Sequence, residues 1–111
     1  MTKKLQDKIK LFRVIHGVNE VYISSSGQLF IKKPENFTGK WLGWYKSGQL
    51  KYEWNYKNGK DHGKCLGWYE NGQLECEGNY KNGEKHGKWF RRHANGQLKY
   101  EINYKDGERI D

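Results

Sequence analysis

One segment of 24 residues occurs three times in succession in this chain of 111 residues. Its Gly-Gln-Leu triplet begins at Gly48, Gly72 and Gly96, so both intervals equal 24 residues. A weaker copy, Ser-Gly-Gln-Leu, lies upstream at residues 26–29. A fixed period of this length is the signature of a repeat architecture, in which each unit packs on its neighbours. We therefore predict one structural domain with a cap segment at 1–17, a degenerate repeat at 18–38, and full repeats at 39–62, 63–86 and 87–111.

Each repeat has the pattern of a β-hairpin. In the first repeat, the runs Lys40–Tyr45 and Leu50–Tyr56 have strand composition and flank a turn at Ser47-Gly48. The dipeptide Asn58-Gly59 follows, and it is favoured in type I′ turns because both positions need a positive φ. The predicted fold class is therefore all-β: a single-layer antiparallel meander of stacked hairpins in a twisted or coiled sheet. The predicted turn glycines are Gly48, Gly59, Gly72, Gly83, Gly96 and Gly107.

Side chains alternate between the two faces of a strand, so the repeats define two sets of residues. One mostly aromatic set is predicted to form the structural core: Leu50, Tyr52, Trp54, Tyr56, Leu74, Tyr80, Leu98, Tyr100, Ile102 and Tyr104. A single-layer sheet cannot bury both faces, and Trp, Tyr and Arg dominate binding hot spots. The opposite set is therefore a candidate partner-binding face: Trp44, Trp68, Leu42, Leu66, Phe90, Arg91 and Arg92. Alternatively, these rings only replace a missing aliphatic core, since aromatics make up 15% of the chain.

Tight turns also predict the register between strands. They place Trp54 opposite Gly63, Cys76 opposite Gly67, and Cys65 opposite Gly78. The N-terminal segment is ambiguous, because helical spacing allows an amphipathic helix over 2–13 whereas residues 11–15 and 21–23 suit strands. We favour strands from about residue 12 onward, and we expect this segment to cap the open edge of the first repeat.

The junctions YKNGKDHGK at 56–64 and YKNGEKHGK at 80–88, each followed by a strand and a Gly-Gln-Leu step, resemble the MORN repeat family. The 24-residue period is more similar to a bacterial MORN-variant branch whose members are often labelled antitoxin-like. The resemblance covers residues 39–111 strongly and 18–38 weakly. It implies an elongated sheet of stacked hairpins with a binding or scaffolding role, linked in some members to phospholipids. The third copy departs from the pattern, because Arg91, Arg92 and His93 replace Gly-Trp-Tyr.

The side chains capable of chemistry form no catalytic pattern. His62 and His86 are repeat-equivalent and lie two strands apart, about 9–10 Å, which is too far for one metal ion. We predict that both are turn residues. Cys65 and Cys76 are interpreted as small core residues, with a regulatory disulfide as the alternative. Neither a phosphate loop nor a nucleophile elbow occurs, so we predict a non-enzyme without metal or cofactor.

The function predicted from these features is protein binding of the antitoxin, immunity or inhibitor type, by steric occlusion of a toxin or target enzyme. The net charge of +8 favours a partner with an acidic surface. Three alternatives stay open: nucleic-acid binding, including inhibition of an enzyme that acts on nucleic acid; contact with anionic phospholipid; and a homodimer through a sheet edge. No run of residues has the pattern of an export signal or membrane span, so we expect a cytoplasmic protein.

Overall fold

The computed structural model describes residues 2–110, which form one helix and one sheet of ten strands. All strand pairs in the sheet are antiparallel. The prediction of an all-β single-layer sheet of stacked hairpins is confirmed, with one helix added to it. The elements are α1 (Lys3–His16), β1 (Glu20–Ser24), β2 (Leu29–Phe30), β3 (Gly39–Trp44), β4 (Leu50–Lys57), β5 (Lys60–Trp68), β6 (Leu74–Lys81), β7 (Glu84–Lys85), β8 (Gly87–Arg92), β9 (Leu98–Lys105) and β10 (Glu108–Arg109).

The Asn-Gly turns have the predicted geometry. Asn58 has a φ of 50° and Gly59 a φ of 83°, and the same two values recur closely in the two later turns. Both central residues of a type I′ turn need a positive φ, which Asn tolerates and Gly adopts freely. The turn of the second repeat also bonds to the first strand after the preceding turn, since the Gly83 N–H donates to the carbonyl of Asp61 in β5 at 2.8 Å. The turns therefore hold successive repeats in phase at this end of the sheet.

The turns at the other end are longer than a two-residue hairpin turn. The Gly48 N–H donates to the Tyr45 carbonyl, and the Tyr45 N–H donates to the Gln49 carbonyl, each at 2.9 Å. Gly48 has a φ of 95°, so the turn has the three-residue form that ends in a glycine bulge. Ser24 and Gln28 make the equivalent bond at 2.9 Å, which shows that the upstream Ser-Gly-Gln-Leu copy forms the same turn.

These bulged turns move one predicted core residue of each repeat to the other face. Gly43 pairs with Tyr52, but Trp44 pairs with Leu50, so Lys51 is an extra residue on β4. Leu50 therefore shares a face with Trp44 instead of Tyr52. The same shift occurs at the equivalent turns of the later repeats, where Trp68 pairs with Leu74 and Arg92 pairs with Leu98. The prediction that Leu50, Leu74 and Leu98 lie on the same face as the aromatic set is therefore wrong.

A second irregularity lies near the Asn-Gly turns. Tyr56 pairs with Asp61 but Trp54 pairs with Cys65, so the predicted pairing of Trp54 with Gly63 is wrong. Gly63 has a φ of 92°, a conformation that glycine adopts easily and that allows the strand to bulge here. Beyond this bulge the register is as predicted, because Cys65 pairs with Gly78 and Gly67 with Cys76.

The N-terminal segment is a helix, so the prediction of strands from about residue 12 is wrong. The side chain of Thr2 accepts a hydrogen bond from the Leu5 N–H at 3.2 Å, and Gly17 ends the helix with a φ of 62°. Such capping satisfies backbone groups that the helix leaves free. Strand residues 21–23 do lie in β1, as predicted. We expected a cap on the sheet edge, but α1 packs on a sheet face, where Ile9 joins Val21, Ile23 and Leu42 in a buried cluster.

The meander is interrupted at the N-terminal end of the sheet. The strand order is β10-β9-β8-β6-β5-β4-β3-β1-β2, with β7 beside β6, so β3 pairs with β1 and leaves β2 at the edge. The connection through residues 31–38 carries Phe37, which is 4% exposed and contacts the rings of Tyr22, Phe30 and Tyr56. This connection covers the face opposite to α1, so the degenerate repeat is covered on both faces.

We call the face under α1 the helix-side face and the opposite one the aromatic face. On the aromatic face, rings of neighbouring strands pack on one another: Tyr80 and Trp89 have centroids 5.1 Å apart and nearly perpendicular planes. Most residues of the predicted aromatic core are only half-buried there. Leu98 and Tyr100 are 51% and 44% exposed, so the prediction that they belong to a core is wrong. Within the described residues, β9 is paired along most of its length by β8 alone.

Candidate partner-binding face

The helix-side face consists of three parallel rows of side chains, which run across the strands. Each row alternates between two residue types, because the first and second strands of every repeat contribute different residues. The first row alternates Lys and Asn, the second alternates an apolar residue with Glu, and the third holds the shifted leucines. The rows are Lys40, Asn55, Lys64, Asn79, Lys88 and Asn103; Leu42, Glu53, Leu66, Glu77, Phe90 and Glu101; and Trp44, Leu50, Trp68, Leu74, Arg92 and Leu98.

Helix α1 covers the N-terminal end of these rows. Leu42 has no exposed surface, and Trp44 and Leu50 pack against the same buried cluster. The guanidinium carbon of Arg13 lies 4.1 Å from the centroid of a Trp44 ring. Leu42 is therefore a core residue, and its predicted place on an exposed partner face is wrong. Trp44 is half-buried beneath the helix and lies in the helix–sheet contact.

The same rows continue without the helix over the second and third repeats. We call this continuation the open strip: Leu66, Trp68, Leu74, Phe90, Arg92 and Leu98. None of the six residues is buried, and none belongs to the cluster beneath α1. The guanidinium carbon of Arg92 lies 5.1 Å from the centroid of the Phe90 ring, and its Nη1 donates to the Gly96 carbonyl at 3.2 Å. Four predicted partner-face residues, Leu66, Trp68, Phe90 and Arg92, thus lie together in one half-buried strip outside the cluster beneath α1.

Arg91 does not belong to the open strip. It pairs with Cys76 and Tyr100 across the sheet, which places it on the aromatic face. Its Nη1 is 3.2 Å from a carboxylate oxygen of Glu75. The structure therefore separates Arg91 from the other predicted partner-face residues, because adjacent residues of a strand alternate between faces.

Hydrogen bonds from tyrosine hydroxyls to backbone carbonyls hold the open strip in a defined position. The hydroxyl of Tyr45 donates to the Trp68 carbonyl at 2.7 Å, and the hydroxyl of Tyr69 donates to the Arg92 carbonyl at 2.8 Å. Each bond joins one repeat to the next, over 23 residues. A surface held by such bonds loses little conformational freedom on binding, and this favours affinity.

Ion pairs on the helix-side face occur in the first and third repeats. Lys40 Nζ lies 3.4 Å from a Glu53 carboxylate oxygen, and Lys88 Nζ lies 3.2 Å from one of Glu101. In the second repeat the equivalent residues, Lys64 and Glu77, form no ion pair within residues 2–110. Exposed pairs contribute about 1 kcal/mol or less, so the difference matters more for recognition than for stability. Glu77 keeps its carboxylate available beside Trp68 and Leu66.

A groove with a volume of about 670 Å³ lies on the helix-side face next to α1. Leu5 of the helix and Ile23 line one side of it, and Asn55, Glu53 and Lys64 line the side toward the second repeat. The groove is unfilled space between the helix and the Lys/Asn row, and none of the six residues of the open strip lines it. The repeat pattern alone does not reveal it, because the groove exists only where a helix covers part of the sheet.

The histidines have structural roles. His62 Nδ1 accepts a hydrogen bond from the Asn82 N–H at 3.2 Å, and Thr38 Oγ1 accepts the equivalent bond from Asn58 at 2.9 Å. His62 lies in β5, so the prediction that it is a turn residue is wrong; its side chain joins β5 to the turn of the next repeat. Over residues 2–110, no three side chains of the types that bind metals come together in one group.

The two cysteines are free thiols. Burial raises the pKa of the Cys65 thiol to about 12, and Cys65 is 1% exposed. Burial also raises the pKa of Cys76. Because the thiolate is the reactive form, both are poor nucleophiles at neutral pH. Their environment is that of small packing residues, which the sequence interpretation favoured.

Two phenols on the aromatic face, those of Tyr56 and Tyr52, also have raised pKa values. Burial raises the pKa of Tyr56 to about 12, with the nearby Asp61 as a second cause. Burial also raises the pKa of Tyr52, whose hydroxyl donates to a carboxylate oxygen of Glu20. Tyr56 packs against the Phe37 ring and Tyr52 forms a hydrogen bond, so these two groups are suited to contact and not to proton transfer near neutral pH.

One sheet of stacked hairpins, with a strip of apolar side chains outside the helix-covered cluster, defines a hairpin-repeat protein. The family described as MORN repeat variant matches the chain at residues 37–58, 61–82 and 85–106. These matches cover more than half of the residues, and the chain belongs to the MORN repeat variant family. Repeats of this family are often protein- or lipid-binding modules. No curated protein and no solved structure gives a significant match. Over the described residues, α1 falls short of the length and apolar character needed to cross a membrane.

Proposed function

We propose that this protein is a non-catalytic protein-binding module that inhibits or neutralises its partner by steric occlusion, as antitoxins and immunity proteins do. The open strip is the observation that carries the proposal. It places two aromatic rings, three leucines and an arginine on one side of a sheet that hydrogen bonds hold in place. Leu98 is 51% exposed and the other five residues are half-buried. Accessible apolar surface of this kind supports an interaction site, and Trp and Arg are enriched among hot-spot residues.

The partner in this proposal is a toxin or target enzyme whose surface is acidic outside the segment that contacts the open strip. The chain's net charge of +8 would speed the encounter with such a surface. Cytoplasmic location is part of the proposal, because Cys65 and Cys76 are free thiols and disulfides are common where oxidising conditions prevail. The antitoxin-like branch of the family is consistent with this mechanism, which needs no turnover.

The test is affinity capture from the native cell with three proteins: the wild type, a Trp68→Ala/Phe90→Ala variant, and a Tyr100→Ala control. Tyr100 is an exposed ring on the aromatic face, so its removal leaves the open strip intact. We expect one protein partner to be retained by the wild type and the control, and lost by the double variant. The purified partner should then lose activity at a 1:1 ratio. Recovery of nucleic acid or phospholipid in place of a protein would contradict the proposal.

A further inference from the structure

The first repeat already shows what a helix does on this face. Helix α1 places Leu5, Ile9 and Phe12, at spacings of four and three residues, on a buried cluster of the sheet. The next residue, Arg13, covers the ring of Trp44. An apolar stripe followed by one cation is therefore the pattern that this surface accepts. The open strip offers the next repeat-equivalent surface, with Trp68 in place of Trp44.

The spacing of the repeats fits a second helix beside the first. One repeat adds two strands, which displaces equivalent residues by about 9–10 Å across the sheet. Packed helices have interaxial distances of about 8–10 Å. A helix centred over Leu66, Trp68 and Leu74 would therefore lie side by side with α1. The groove between Leu5 and Lys64 lies beside α1 on the side toward the second repeat, so the flank of α1 that would face such a neighbour is not filled by this chain.

The charge of the second surface differs from that of the first. In the surface beneath α1, the apolar Val21 lies beside Leu42. In the second repeat, the equivalent Leu66 lies between two acidic residues, Glu53 and Glu77. Glu53 is paired with Lys40, whereas Glu77 has no ion pair within the described residues. A second helix therefore needs a cation on its flank to meet Glu77. An uncharged apolar helix would leave this carboxylate partly desolvated without a partner.

From this arrangement we propose that the partner contributes a basic amphipathic helix, which lies on the open strip parallel or antiparallel to α1. Its apolar stripe contacts Leu66, Trp68 and Leu74, one cation covers the Trp68 ring, and another pairs with Glu77. This inference rests on the proposed function, because it specifies which part of a protein partner occupies the strip. The pattern is readable in a candidate partner's sequence as apolar residues at i, i+4 and i+7 with Lys or Arg on both flanks.

A synthetic peptide with the sequence of residues 2–17 serves as the probe, because this sequence is a basic amphipathic helix that fits the equivalent surface. Its binding to the full-length chain is measured by fluorescence anisotropy. We expect saturable binding, with the Kd raised at least tenfold by Trp68→Ala and about threefold by Glu77→Gln. Tyr100→Ala should leave the Kd within twofold of the wild type. A control peptide with serine in place of its three stripe residues should not bind.

Three results would overturn the helix proposal. Binding that Trp68→Ala leaves unchanged would place the peptide elsewhere, for example on the first repeat in exchange for α1. A captured protein partner that the peptide cannot displace would leave the proposed function standing and refute the helix. The third result concerns a second copy of this chain, since Leu11, Val14 and Ile15 form an exposed apolar stripe on the outer side of α1. A dimer in sedimentation velocity that Val14→Asp dissociates would assign the strip to that second copy.

Peptide binding and the proposed function fail in distinguishable ways. Peptide that binds through Trp68 and Glu77, with no protein partner captured from the cell, would support a helix-binding surface and reject the antitoxin-type role. Circular dichroism of each variant confirms folding before binding is measured. Trp68→Phe is a further check, because it keeps a ring on the strip and should lose less affinity than Trp68→Ala.

Discussion

The first and second repeats carry the same three residue types on the helix-side face, but only the first repeat is covered. Leu42 is completely buried, whereas its equivalent Leu66 is half-exposed. The difference comes from α1 and from the apolar residues of β1, which lie beside the first repeat alone. A repeated surface is therefore core or interface according to what packs on it. The equivalent sets are Leu42, Trp44 and Leu50 in the first repeat, and Leu66, Trp68 and Leu74 in the second.

The largest expected effect comes from truncating the equivalent leucines. Leu42→Ala should lower the free energy of unfolding by about 3–4 kcal/mol, because it removes buried methyl groups and leaves a cavity. Leu66→Ala should cost about 1 kcal/mol, because its side chain is already in contact with water. Urea denaturation of both variants measures the difference. Equal losses would contradict the conclusion that α1 converts only the first surface into a core.

The equivalent glycines Gly43 and Gly67 test the aromatic face. A Cβ on Gly43 would meet ring atoms of Tyr52 at 2.2 Å, whereas one on Gly67 would meet the Cys76 sulfur at 3.0 Å. We expect Gly43→Ala to destabilise the protein by about 2–3 kcal/mol and Gly67→Ala by about 1 kcal/mol, since overpacking forces neighbours to move. Thermal unfolding of the pair gives the comparison. A Tyr52→Ala background should reduce the cost at Gly43, and failure to do so would refute the steric explanation.

Alkaline pH should lower the free energy of unfolding of the protein, because the buried thiol of Cys65 resists ionisation in the folded state. Its folded-state pKa is raised from 9.0 to about 12, so the thiol contributes stability that is complete below pH 9. As the pH rises from 9 toward 12, the unfolded chain loses this proton first and the contribution disappears. We expect the wild type to lose about 1–3 kcal/mol more than Cys65→Ala between pH 8 and pH 11. Parallel pH dependences of the two proteins in urea denaturation would exclude this explanation.

The smallest expected effect concerns the cations that cover rings. Arg13→Ala should cost about 1 kcal/mol, because the guanidinium lies over Trp44 in a partly buried contact. Arg92→Ala should cost about 0.5 kcal/mol, because its guanidinium lies farther from the Phe90 ring, at 5.1 Å, than that of Arg13 from Trp44, at 4.1 Å. Lys4→Ala, an exposed change on α1, controls for the loss of charge. Urea denaturation measures both losses. A larger loss of unfolding free energy for Arg92→Ala than for Arg13→Ala would contradict the conclusion that the contact beneath α1 is the stronger one.

Sequence periodicity predicts the hairpins well because local chemistry decides them. Asn58-Gly59 requires a positive φ at both residues, and the structure has it there and in both later turns. The bulges were not predictable from alternation, because an extra residue such as Lys51 changes the face of every residue on one side of it. A reader of the sequence could find this bulge only by noticing that Gly48 suits the three-residue turn.

Helix α1 shows a different limit. Leu5, Ile9 and Phe12 carry the helical signal, but residues 11–15 have an equally good strand signal. The Thr2 cap and the Gly17 terminus favour the helix, and packing against the sheet stabilises it. Trp68 and Phe90 of the predicted partner face lie together on the open strip, where both are half-buried. Leu42 was misplaced because burial depends on a segment more than 25 residues away.

The sequence by itself determined the period, the tight turns, the antiparallel pairing and the family of this protein. These properties follow from contacts within one repeat or between neighbours, which every copy reproduces. Only the tertiary structure decided which face holds the core and which part of it stays open. That decision depends on where α1 lies, since Leu42 is completely buried beneath the helix whereas its equivalent Leu66 is half-buried and lies outside the helix-covered cluster. Identical local sequence cannot encode this difference, because the free energy of burial comes from the residues that cover a surface.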